Sequence, residues 1–229
     1  GVVEVDADAE VDLVRPGILL EVLVEAEDRI AGERFDDSVQ WLDSGVESAI
    51  DIEHDEEKIR TLCEIGNLYK DSKRNDKAVE TFDTARGLAE RLDNTHRDLF
   101  LGNCALGFLS AGSPELADQT LDLITDKTQM ASALVGFARD SWNKEDKQEA
   151  LDTLDEAYAI LKSQREIEIR DSRSRNRLLG VIAVQYAGFG KTERAVELAH
   201  ENPDAAEETV EYLNAHGDNV GLLKVHLYR

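Results

Sequence analysis

Few residues in this chain have the types and spacing that carry chemistry. Ala187-Gly188-Phe189-Gly190-Lys191-Thr192 ends in Gly-Lys-Thr, as does the loop whose amides and lysine cradle phosphates. That loop needs another glycine five places before Gly190, where Gln185 stands, and it has to follow a buried strand. Cys63 and Cys104 lie 41 residues apart and share no ligand spacing with each other or with a histidine, so neither a disulfide framework nor a zinc site is indicated. His54, His96, His200, His216 and His226 are scattered, the nearest two being ten residues apart. No Gly-x-Ser-x-Gly or His-Glu-x-x-His occurs, and no cysteine has a histidine base nearby. The expectation is a non-enzyme, with no cofactor and no metal.

Charge is the next signal. The 229 residues hold 49 Asp and Glu against 26 Lys and Arg, for a formal charge of −23. Residues 1–57 carry 19 of the acids and only Arg15, Arg29 and Arg34 on the basic side. Such a surface repels phosphate backbones, which argues against nucleic acid, and attracts basic partners or cations. It also suits solubility at high salt. One basic cluster stands out: Lys162, Arg165, Arg170, Arg173, Arg175 and Arg177 against Glu166, Glu168 and Asp171. It reads either as a helix face with (i, i+4) ion pairs or as a secondary basic patch for an acidic partner, a phosphate, or the acidic end of a second copy. No apolar run approaches the ~20 residues of a membrane helix, and the acidic N-terminus lacks the basic start of a secretory signal. A soluble, cytoplasmic protein in a reducing compartment is expected, although the chain opens on Gly and is compatible with a removed leader.

The elements that position any site come from an internal repeat. Leu62, Ile65, Gly66 and Tyr69 are followed by a polar break at 71–75 and then by Ala78, Phe82 and Ala85. The pattern is helix, turn, helix, with small residues where two helices approach closely. The same grid returns at Leu101, Ala105, Phe108, Ala117, Leu121 and Ile124, with Pro114 suited to the start of its second helix. It returns again at Leu134, Ala138, Ala150, Leu154 and Ala157, and at Leu179, Ala183, Tyr186, Ala195 and Ala199. The small residues Gly66, Ala105, Ala138 and Ala183 are spaced by 39, 33 and 45. A weaker copy precedes, through Val22, Ala26, Phe35, Ser38, Leu42 and Gly45, and a truncated pair follows at 204–215 and 219–228.

On these residues the chain resembles the tetratricopeptide repeat (TPR) family, units of antiparallel helix pairs of about 34 residues. The resemblance spans 18–229 and is clearest over 59–200. It implies an all-α fold, a right-handed superhelical α-solenoid of about five to six pairs; ahead of it, the acids alternating with apolar residues before Pro16 read as an acidic N-terminal arm, 1–17, extended or mobile. One pair cannot bury its apolar stripe alone, so neighbours stack. The resemblance further implies a non-catalytic scaffold whose first helices line a concave groove for a partner peptide or protein segment.

Counting from each small residue, the lining positions are one past (Asn67, Leu106, Arg139, Val184), four past (Lys70, Leu109, Trp142, Ala187) and three before (Cys63, Gly102, Val135, Gly180). The partner-binding set is Asn67, Lys70, Asn103, Arg139 and Trp142, because Trp and Arg are frequent energetic centres of interfaces. Trp142 reads equally as a residue that closes its helix against the next pair. Gly102 and Gly180 either admit a ligand backbone or serve helix contact. The alternative function is a self-associating structural element, a homo-oligomer joined through acidic N-terminal and Arg-rich surfaces.

Overall fold

The turn inside each pair sets the register of the fold. The structure is a computed structural model and describes residues 16–93, 96–163 and 172–218, together with Gly221 and Val225. Six turns among the described residues end a helix in the same way. One residue takes the left-handed conformation, at Glu33, Lys73, Gly112, Glu145, Gly190 and Gly217 (φ between 56° and 84°). The amide of the following residue reaches back five places, as from Arg74 to Tyr69 O (2.9 Å), Ser113 to Phe108 O (2.9 Å) and Lys191 to Tyr186 O (2.7 Å). These are Schellman stops, which satisfy carbonyls that the helix end leaves open. Four of the left-handed residues, at 73, 112, 145 and 190, lie seven places after Gly66, Ala105, Ala138 and Ala183. The irregular period of the sequence is therefore the period of the turns.

Between the turns run α1 (Pro16–Ala31), α2 (Phe35–Ile50), α3 (Asp55–Asp71), α4 (Asn75–Ala89), α5 (Arg97–Ser110), α6 (Pro114–Leu121), α7 (Lys127–Asn143), α8 (Lys147–Ser163), α9 (Ser172–Gly188), α10 (Thr192–Glu201) and α11 (Pro203–Ala215). The described residues contain no strand. Pro114 opens α6 as its sequence suggests. Each odd-numbered helix from α1 to α9 packs against the even one that follows it. Joined by three-residue turns, such helices are antiparallel. The fold is all-α, of TPR-like helix pairs. Helix α1 opens at Pro16, so Pro16 and Gly17, placed with the arm by sequence, are helical. The rest of that arm, 1–15, and the final helix expected at 219–228, apart from Gly221 and Val225, lie outside the described residues.

The chain divides into two compact units, Gly1–His96 and Arg97–Arg229. In the first, Ala26, Ile65, Ala78, Phe82 and Ala85 are fully buried. A Cβ on Gly66 would stand 2.7 Å from the Phe82 ring, so the bare backbone lets α4 lie against α3. Tyr69 on α3 donates its hydroxyl to Asp43 on α2, which also takes the Lys77 ammonium from α4, and Lys77 sits 5.5 Å from the Tyr69 ring centre.

In the second unit the device recurs. Tyr186 on α9 donates to Asp155 on α8, with Arg194 of α10 5.9 Å from the ring centre. Lys77 and Arg194 both lie eight residues after their tyrosine. One core cluster joins α7, α8, α9 and α10 through Leu134, Leu154, Leu161, Ile182, Tyr186 and Leu198, and a smaller one joins α10 to α11 through Val196, Ala199 and Leu213.

A connection between α6 and α7 is fixed by Asp98, buried in the first turn of α5. It accepts from Thr125 N and Oγ1 (2.8 Å each) and Asp126 N (2.6 Å), and it pairs with Arg97 (2.7 Å). Burial by itself would raise the Asp98 carboxyl; the hydrogen bonds outweigh it and hold it below the usual carboxylate range. Asp126 then caps α7, accepting from Thr128 N and Gln129 N.

Candidate functional site

Each first helix leaves one stripe uncovered. On α3 it is Arg60, Glu64, Asn67 and Asp71, all exposed. Their spacing of four, three and four keeps them on a single face. In the repeat register these places are six and two before the small residue and one and five after it. On α1 they hold Leu20 (66% exposed), Val24 (47%), Glu27 and Ala31. In the second unit α5 presents Leu99 (41% exposed), Asn103, Leu106 and Ser110, while α7 presents Ser132, Gly136, Arg139 and Asn143. On helix α9 the same places hold the exposed Arg177 and Gly188 and the half-buried Val181 and Val184, with Val181 packed against the core.

The stripes of α5 and α7 form one surface. A Cβ on Gly136 would lie 2.5 Å from Leu106 Cδ2, so Leu106 fills the space that a side chain on α7 would take. Asn103 stands three residues before Leu106 on α5, and Arg139 three residues after Gly136 on α7. Both are exposed, and among the described residues neither makes an ion pair or a side-chain hydrogen bond.

Three residues expected to line a groove, Asn67, Asn103 and Arg139, thus fall on open stripes. Asn67 lies in the first unit, where its amide donates to Cys63 O (3.0 Å). Lys70 and Trp142, four past the small residue, are half-buried at the margin. Lys70 lies 3.6 Å from Asp71. Trp142 stacks on Phe189 with ring centres 4.2 Å apart and 12° between planes, and the Lys147 ammonium is 5.3 Å from its ring centre. One face of the indole therefore closes α7 against the turn after α9.

The positions three before the small residue depart from the sequence expectation. Cys63, Gly102, Val135 and Gly180 are buried. A Cβ on Gly102 would meet Ala133 Cβ at 3.6 Å, and one on Gly180 would meet Glu208 Oε2 at 2.2 Å. Of the two roles open for these glycines, the structure gives them helix contact. The open stripe is displaced by one residue, to two before.

The basic cluster is held within the chain where it is described. Arg165 and Arg170 lie outside the described residues. Arg175 Nε donates to Leu161 O at 3.1 Å, in the last turn of α8. Arg173 and Arg177 line a hollow of about 340 Å³ with Glu207, Glu208 and Glu211 of α11. Lys162 reaches Glu201 at 3.3 Å, and Tyr158 donates to the same carboxylate at 2.5 Å. The Tyr158 and Lys162 hydrogen bonds, against a smaller opposing effect of burial, hold the Glu201 carboxyl below its ordinary value. This set ties α8, α9 and α10 together.

Gly190 and Lys191 lie in the turn between α9 and α10 and Thr192 opens α10, as the repeat requires. The hollow beside this turn is lined by Glu193, Glu197 and Asp218 together with Lys191 and Arg194, the last paired with Glu197, and Thr192 Oγ1 donates to Asp218 (3.1 Å). Three carboxylates against two cations disfavour phosphate there. Among the described residues no group of three or more His, Cys, Asp or Glu is arranged to hold a metal, and no helix is long and apolar enough to cross a membrane.

Fold and site together define a class, a TPR-like helix-pair protein with open first-helix stripes. No family model matches the chain. Among solved structures, a putative kinesin light chain with nearly identical TPR-like repeats from Podosopora anserina is 17% identical, over 86% of this chain and 97% of that one, with a TM-score of 0.44. BtubC (BKLC) from P. vanneervenii is 16% identical, over 88% and 82%, with a TM-score of 0.44. A putative pyruvate-flavodoxin oxidoreductase of Synechocystis sp. (strain ATCC 27184 / PCC 6803 / Kazusa) is 47% identical over 45 residues, which are 20% of this chain and 4% of that protein.

Proposed function

We propose that the chain is a non-catalytic interaction scaffold that receives a protein segment on its open first-helix stripes. One observation carries this reading. On the joined face of α5 and α7, Asn103 and Arg139 are exposed and unengaged beside the solvent-facing Leu99 and the half-buried Leu106. A face with apolar area, an open amide and an open guanidinium has what an interface centre uses, and among the described residues neither polar group has a partner. Trp142, at its margin, adds an aromatic edge. In the first unit Asn67 and Lys70 form a polar patch on α3, where the Asn67 amide donates to Cys63 O and Lys70 lies beside Asp71. The acidity of the chain supports a protein partner over a nucleic acid.

The test is capture from native extract with the intact chain, an Asn103→Ala/Arg139→Ala double variant and an Asn67→Ala/Lys70→Ala double variant. Loss of the partner with the first pair alone places recognition on α5 and α7. Equal capture by all three removes the stripes as the binding surface.

A further inference from the structure

The charges on the second unit's face narrow the chemistry of its partner. In a chain with 49 acidic residues, the stripes of α5, α7 and α9 contain no Asp or Glu, and they do contain Arg139 and Arg177. The stripes of α1 and α3 hold Glu27, Glu64 and Asp71 against Arg60. Arg177 already lies beside the α11 glutamates. Asp140, next to Arg139 in sequence, is half-buried and engaged by Lys144 at 2.6 Å. Arg139 is thus the cation of this face that no carboxylate of the described chain answers.

We infer that the segment received on this face carries an acidic side chain between aliphatic ones, with its carboxylate on Arg139. This rests on the reading of the face as the partner site. A guanidinium offers a planar fork that a carboxylate fills with two hydrogen bonds. Leu106 over Gly136 and the half-buried Val184 supply apolar surface on either side of it, and lower local polarity strengthens the pair. The same surface takes the aliphatic neighbours of the acid. Asn103, with two donors and an acceptor, matches the N–H and C=O of an extended backbone. An internal acid fits better than a chain terminus. Leu106 and Val184 occupy, on the flanking helices, the place that Arg139 holds on α7, so no second cation is there to share a terminal carboxylate.

The test is selection of a random short-peptide display library on the full chain, with the enriched peptides then titrated by fluorescence anisotropy. Expected winners are rich in Asp or Glu beside aliphatic residues. Their affinity falls about tenfold or more with Arg139→Glu, falls less with Arg139→Lys, and is unchanged by Lys191→Glu, the same charge change on a turn outside the stripes. Circular dichroism confirms that each variant is folded. Winners without acids, or winners that ignore Arg139→Glu yet weaken with Asn103→Ala and Leu99→Ser, overturn the acidic partner and leave the face as a binding site. Winners indifferent to all of these substitutions, or an empty selection, overturn the acidic partner and the face together.

Discussion

A single carboxylate, Asp98, takes two backbone amides, a hydroxyl and a guanidinium while buried at the start of α5. Asp98→Asn removes the charge that strengthens these bonds and is expected to cost about 1–3 kcal/mol, read as a lower urea midpoint. Asp98 and Asp43 both have folded-state values below the ordinary one. For Asp43 the Lys77 and Tyr69 hydrogen bonds overcome the opposing effect of burial. Their contribution is complete above the unfolded value of about 3.9 and is lost as pH falls through the lower folded values. Urea midpoints at pH 7 and pH 3 should therefore differ less in the Asp98→Asn protein than in the parent. At Glu33 and Glu145 a side chain occupies a left-handed position that Gly fills at 112, 190 and 217. The substitution Glu145→Gly is expected to raise stability by about 1 kcal/mol, measured as a rise in the thermal midpoint.

At the scale of the element, the two glycines of the α3/α4 pair separate packing from propensity. Gly66→Ala puts a methyl group into the Phe82 ring and is expected to destabilise by about 1–3 kcal/mol. Gly87→Ala on α4 meets nothing within 4 Å, so it is expected to stabilise by up to about 1 kcal/mol. Opposite shifts in chemical denaturation check the pair. The helix grid was legible in sequence because small residues are forced wherever two backbones approach: Ala78, Ala105, Ala117, Ala138, Ala150, Ala183 and Ala195 are all fully buried. The lining of the open face was less legible. A 3.6-residue period marks one apolar stripe, but a first helix meets its own partner and the next first helix. The second contact buries Gly102 and Gly180, positions that periodicity leaves open. The anchor of the α6–α7 connection was hidden too, since Asp98 meets Thr125 and Asp126 only through the fold.

Over the whole molecule the excess of negative charge repels itself in the compact state. Added salt screens it, with a Debye length that falls from about 10 Å at 0.1 M to about 3 Å at 1 M. The thermal midpoint is expected to rise between these concentrations, by about 2–4 °C for each 1 kcal/mol of repulsion removed. A scan across sodium chloride concentrations measures this, and a flat or falling midpoint would remove self-repulsion as a cost of the fold. The sequence by itself determined the helix pairs, their turns, their irregular period and the acidity. Each of these is written in residue size, apolar spacing or charge along the chain, which local physics reads directly. Only the tertiary structure decided which side of each first helix stays open, that Trp142 stacks on Phe189, that Arg175 caps α8, and that no carboxylate of the described residues answers Arg139. Those outcomes depend on neighbours tens of residues away, brought within a few ångströms by packing that no single helix specifies.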